Sequence, residues 1–216
     1  MKLPWVAYAG IVAQALPLIS AAARKPPLTR PLRWVVIWSA VLLGFDFIVA
    51  GFALANRNNH FLSYLLTPVG TALALWALAF WQVSERSTLI LRLLIPVLAG
   101  VWIVLVLAIE SIRTFSLLAQ PLAGLLLLGA AIWTLLTRAI REEGRLPDQD
   151  WLWVTFGIAI YSATSVALPP LGHLLLDVSR DLVIRAYEGK ALIDVLAFAL
   201  IARGVIVRPQ LAPGRS

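Results

Sequence analysis

The sequence predicts an all-α polytopic membrane protein of seven transmembrane helices, with the N-terminus outside and the C-terminus in the cytoplasm. Three observations carry that expectation. Apolar stretches long enough to cross a bilayer recur along most of the 216 residues. Hydrophobic residues make up 61% of the chain and charged ones 13%, about half the ~25% charged fraction of soluble domains. The 18 Lys and Arg gather almost wholly between the stretches or at their ends. The connections leave no room for a soluble catalytic domain, so residues 1–216 are read as one membrane domain whose first partner is the lipid bilayer.

The spans run over residues 3–22, 34–55, 61–81, 88–109, 114–137, 151–176 and 191–207, each close to the ~20 residues that cross a ~30 Å hydrocarbon core. The first opens with Met-Lys and closes on Ser20-Ala21-Ala22-Ala23, the outline of a cleavable leader,. Arg24, Lys25, Arg30 and Arg33 follow it, against Lys2 before it. That imbalance holds its far end in the cytoplasm, so a permanent helix is expected. Pro26, Pro27 and Pro31 stiffen the loop to the second span,. Between the second and third, the amide-rich stretch 56–59 can cap the third,. Glu110 and Arg113 flank the turn between the fourth and fifth. Gly144 and Pro147 break the longest cytoplasmic loop, 138–150,. The sixth span contains Pro169-Pro170, expected to break it just inward of His173,. Before the seventh, the spacing of Leu182, Val183 and Ala186 suits a short amphipathic helix over 177–190 lying in the interface,.

Cation counts give the orientation. Six Lys and Arg fall on the N-terminal side and twelve on the other. The loops are short, so the richer side faces the cytoplasm. The formal charge of +7 then belongs to lipid headgroups, and nucleic acid is not an expected partner,. Trp5, Trp34, Trp81, Trp151 and Trp153 near span ends fit an aromatic belt,.

Polar groups inside spans are the functional candidates, because burying them in hydrocarbon is costly. Asp46 lies about thirteen residues from the cytoplasmic end of its span, past the midplane at ~1.5 Å per residue,. It has no charged neighbour on its own helix, so it must meet another helix, water or a ligand,. His60, Glu110, His173, Asp177 and Asp194 also fall in the outer third or at the outer surface, and all six are candidate ligand-binding residues. His173 and Asp177 are four apart and share a helix face, as do Lys190 and Asp194, an expected ion pair,. The cytoplasmic half holds little beyond Gln14 and Arg92, and Arg92 can snorkel to the near interface,. The asymmetry points to a cavity open to the outside, lined by the second, sixth and seventh spans.

Other chemistries are excluded or unsupported. With no cysteine, thiolate metal sites, iron–sulfur clusters and Cys nucleophiles are absent,. No metal-ligand spacing, Walker loop or hydrolase motif occurs, and no catalytic residue is assigned,. The only lysines are Lys2, Lys25 and Lys190, which argues against a retinal-binding opsin. Two histidines near the outer surface argue against a bis-histidine haem,. No cofactor is indicated. Ala13-Gln14 with Pro17 and Ala119-Gln120-Pro121 echo each other, but no repeat extends into the neighbouring spans.

The stretch Asn58-Asn59-His60-Phe61-Leu62-Ser63-Tyr64-Leu65-Leu66-Thr67-Pro68 resembles the Asn-Asn, aromatic, Tyr, Thr-Pro stretch of small uncharacterised bacterial seven-helix membrane proteins. The resemblance implies a multi-pass protein of the inner membrane and carries no activity. Three functional readings follow from the residues. The first is a binding or accessory protein, a subunit of a larger membrane complex whose other subunits are its partners. The second is a small solute transporter or ligand sensor using Asp46, His173 and Asp194. The third is a membrane-embedded lipid-modifying enzyme with His173 and Asp177, or Asp46, as acid and base.

Overall fold

A computed structural model describes residues 5–55, 57–112, 116–142, 145–176 and 178–207. Among them there is no strand. The helices are α1 (Trp5–Ala13), α2 (Leu16–Ala23), α3 (Arg30–Leu54), α4 (His60–Ala79), α5 (Glu85–Ala108), α6 (Ala119–Ala139), α7 (Asp150–Leu176) and α8 (Arg180–Ile206), with one short 3₁₀ turn at Leu146–Asp148. Five of them, α3 to α7, are long and apolar enough to cross a membrane.

Three sequence expectations need correction. The first span is divided into α1 and α2 around Gln14 and Ala15. Pro17 has no N–H to offer the Ala13 carbonyl, and the chain turns instead through Gln14 N–H to Ile11 O (3.2 Å) and Ala15 N–H to Val12 O (2.9 Å),. Next, there is no separate interfacial helix before the seventh span. Residues 180–206 form the single helix α8, 27 residues long, which avoids the orphan backbone groups of two further helix ends. Finally, α7 runs unbroken through Pro169-Pro170. Packing against α6 and α8 holds it where the two prolines remove donors,.

Helix α8 is the hub, packing against α1, α2 and α7, while α7 also packs on α6. Helix α4 packs against α3, α5 and α6, and α2 meets α3, so the bundle closes on itself with α5 on its outside. Trp38, Leu75, Leu78, Trp151, Ile158, Phe198 and Ile201 fill the core. Where α7 and α8 cross, glycine sets the distance. A Cβ on Gly157 would lie 2.6 Å from the Ala197 carbonyl oxygen, and one on Gly204 would lie 2.6 Å from Val154 Cγ2. Lipid tails are as apolar as leucine, so close backbone packing of this kind holds helices together where the hydrophobic effect does not.

The two ends of the bundle differ. At one, Arg24 donates to the Val205 carbonyl (2.5 Å), Arg138 Nε donates to the Trp81 carbonyl (2.7 Å) and Arg203 stacks 4.2 Å over the Trp153 ring. This is the cation-rich end. At the other, the Tyr64 hydroxyl of α4 donates to the Ser111 carbonyl after α5 (3.1 Å).

Gly157→Ala is expected to lower stability by about 1–3 kcal/mol through overpacking. Gly44→Ala, whose added methyl would meet nothing within 4 Å, is expected to be neutral or stabilising by up to about 1 kcal/mol,. Reversible unfolding of the two variants in detergent separates these outcomes.

Candidate functional site

Helical periodicity brings three stripes together. On α3, Asp46, Val49, Ala50 and Ala53 follow the i, i+3, i+4, i+7 spacing of one face,. On α8, Val183, Tyr187, Lys190, Ala191 and Asp194 do the same, while α1 contributes Gly10 and Ile11 and the break after it Gln14,. Between them lies a cavity of about 430 Å³, within the ~300–1,000 Å³ usual for small-molecule sites. Most of its wall is apolar. Its polar groups gather at the deep end, with Asn59 and Glu188 toward the cation-poor end of the bundle.

At the deep end Gln14 donates its side-chain amide to Asp46 Oδ2, a bond between residues 32 apart in sequence. Gln14 lies in the two-residue break between α1 and α2, just ahead of Pro17 in the first turn of α2, and its side chain is buried. Lys190 forms an ion pair with Asp194 one turn further along α8. The Lys190 ammonium also sits 5.1 Å from the Tyr161 ring centroid, and both it and Asp194 lie within electrostatic reach of Asp46. Thr164 is placed to donate to Asp194 or to the Tyr161 carbonyl, 2.9 Å away. Two acceptors remain without a donor in the protein, Gln14 Oε1 and Asp194 Oδ1. Their residues are only 4% and 8% exposed, so bulk water does not supply what the protein omits.

Beside the Lys190–Asp194 pair lies an aromatic cluster. Tyr161, Trp38 and Phe198 pack with centroids 5.6 to 5.9 Å apart, and Trp38 and Phe198 are fully buried. Tyr161 also borders a second, smaller cavity of about 90 Å³ between α3, α4, α6 and α7. Ser63, Thr67, Thr71, Gln120, Ser162 and Ser165 give that cavity its polar lining. Most of those hydroxyls are used within their own helices, as in Thr67 to Ser63 O (2.7 Å) and Ser162 to Ile158 O (2.7 Å).

Of the six candidate residues, Asp46 and Asp194 converge on the large cavity. Asp46 meets a residue outside its own helix, as a lone carboxylate in an apolar helix requires, and that residue is Gln14, in the break between α1 and α2,. The cavity wall therefore differs from the expected one: α1 stands where the sixth span was expected, beside α3 and α8. His60 starts α4 but does not line the cavity, whereas its neighbour Asn59 does. Glu110 lies at the turn after α5, where it accepts Leu118 N–H (2.6 Å), Ala119 N–H (3.4 Å) and the Ser116 hydroxyl (3.0 Å). A carboxylate so placed offsets the positive end of α6. His173 falls in the last turns of α7. Its side chain, Asp177 and their pairing lie outside the described residues, as does Arg113. Among the described residues no group of three or more His, Asp or Glu could hold a metal ion. Arg92 does not simply reach for the interface, since its guanidinium lies 4.8 Å over the Trp76 ring and 5.6 Å from that of Phe80,.

No known family model, curated protein or solved structure matches this chain. The site therefore has to be read from its own groups. Sequence reading underrated Gln14 and passed over Tyr161 and Glu188. Gln14 had a signal, a polar residue three positions before a proline inside an apolar span.

Two measurements probe this geometry. Glu110→Ala is expected to cost about 1–2 kcal/mol of stability through loss of the α6 cap, read from the unfolding midpoint in detergent. Lys190→Met alone is expected to destabilise by about 3 kcal/mol, because it leaves Asp194 unpaired. The double variant Lys190→Met with Asp194→Leu is expected to recover most of that loss, and a double-mutant cycle on the same midpoint checks it.

Proposed function

We propose that this chain is a seven-span protein of the inner membrane, N-terminus outside, that binds a small solute in a cavity opening to the outer side and acts as a transporter or ligand sensor. The observation that carries the reading is the meeting of Gln14, Asp46, Lys190 and Asp194, from three stretches of the chain, at the deep end of one largely apolar cavity. Buried polar groups inside a membrane domain are expensive and are kept where a pathway or ligand uses them. A purely structural bundle would place apolar residues at these positions at lower cost. The lipid-modifying enzyme reading rests on His173 and Asp177, or Asp46, as acid and base, and of these only Asp46 lines the cavity among the described side chains,.

Membership of a larger membrane complex stands as the second reading. Helix α5 favours it, because only 17% of its apolar central window is buried within the chain. Lipid or a partner helix would cover that face equally well, and native mass spectrometry from mild detergent tells them apart by the mass of what co-purifies.

The absence of native cysteine makes the principal test direct. Ala53→Cys in the cavity wall and Asn59→Cys at its mouth are expected to react with a membrane-impermeant thiol reagent applied to intact spheroplasts. Lys25→Cys is expected to react only after lysis. Labelling of Lys25→Cys in intact spheroplasts would reverse the orientation, and an unreactive Ala53→Cys would remove the open cavity.

A further inference from the structure

We infer that the cavity is built for a primary ammonium group carried on an aliphatic body. This rests on the binding reading above and names the class of ligand. The charge balance gives the sign. Three carboxylates face the cavity, Asp46, Glu188 and Asp194, against one cation, Lys190. One positive charge from a ligand brings the site closer to neutrality, whereas an anion would add to an excess already present in a poorly solvated place.

The hydrogen-bond inventory gives the head group. Gln14 spends its amide N–H on Asp46, which leaves its carbonyl oxygen buried without a donor. Asp194 spends Oδ2 on Lys190, and its Oδ1 has no donor while the Thr164 hydroxyl is turned to the Tyr161 carbonyl. Both atoms are acceptors, and both belong to residues more than nine-tenths buried. An ammonium supplies three donors and no acceptor of its own, so it adds no further acceptor to a site that already has unmet ones. A hydroxyl would supply one donor, and a carboxylate none.

The wall gives the body. Ile11, Val49, Ala50, Ala53, Val183 and Ile184 line the cavity on the way out from the polar end. None of these side chains hydrogen-bonds, so the part of the ligand beside them is hydrocarbon, with Asn59, Tyr187 and Glu188 the further polar groups of the lining. An aliphatic amine could be free in solution, or it could be the head of an aminolipid entering between α1 and α3. The shared chemistry is the ammonium, and the two sources separate by experiment.

Isothermal titration of the full chain in phosphatidylcholine nanodiscs provides the test, with n-pentylammonium, n-pentanol and pentanoate as probes. Pentylammonium is expected to bind at least about tenfold more tightly than pentanol, with pentanoate weakest. Asp46→Asn keeps an oxygen for Gln14 and removes one charge, and it is expected to weaken pentylammonium by about tenfold while leaving pentanol unchanged. Phosphatidylethanolamine doped into the discs is expected to compete if the head belongs to a lipid and to have no effect if the amine is free. Equal or tighter binding of pentanol or pentanoate overturns the amine assignment and leaves the cavity reading standing. So does an Asp46→Asn variant with unchanged pentylammonium affinity, provided that its unfolding midpoint matches the parent. Failure of the cavity reading shows elsewhere, in the unreactive Ala53→Cys described above.

Discussion

The crossing of α7 and α8 is the contact on which the rest of the bundle depends. At Gly157 and Gly204 the two backbones approach so closely that a single added carbon would overlap a carbonyl oxygen or a neighbouring methyl group. This separation lets Tyr161, one turn on from Gly157, and Phe198, next to Ala197, pack against each other and against Trp38. Lys190 then reaches over the Tyr161 ring while still pairing with Asp194. Wider spacing would open a void under the ion pair, and in hydrocarbon a void wins no compensation from released water. Close packing in one place thus fixes where charge can be held in another.

Much of this was legible in the sequence, and the reasons differ by element. Helices α3 to α7 are apolar over a bilayer's thickness, a signal that needs no partner to be read,. The beginning of α8 was misread because a polar stripe has two physical uses. Arg185, Glu188 and Lys190 on an otherwise apolar helix suit a headgroup interface, and they suit a helix that lines a cavity equally well. Only the neighbour decides, and besides α7 the neighbours of α8 are α1 and α2, far away in sequence. The unbroken path of α7 through Pro169-Pro170 has the same origin, since a proline pair predicts a lost donor but not how firmly α6 and α8 brace the helix.

The candidate site shows the same division. Asp46 and Asp194 stood out by depth alone, and the i, i+4 spacing of Lys190 and Asp194 announced their ion pair. Which helix would answer Asp46 was not readable, because depth along a helix says nothing about azimuth around it. Gln14 belonged to the cytoplasmic half expected to be poor in polar groups, yet its side chain is the one that answers Asp46. Glu110 was legible as a charge near the surface but not as the cap of α6, because the chain between Glu110 and Ala119 had to fold back before the carboxylate could reach two backbone N–H groups.

The separation of Gln14 and Asp46 from Asp194 along the chain has a consequence for biogenesis. A ribosome working at roughly 5–20 residues per second needs on the order of ten seconds or more between the first of these residues and the last. Until α8 is made, Asp46 has neither Lys190 nor Asp194 beside it, whereas Gln14 precedes it in the chain. The amide is thus the one partner of Asp46 in this cluster that does not have to wait for α8.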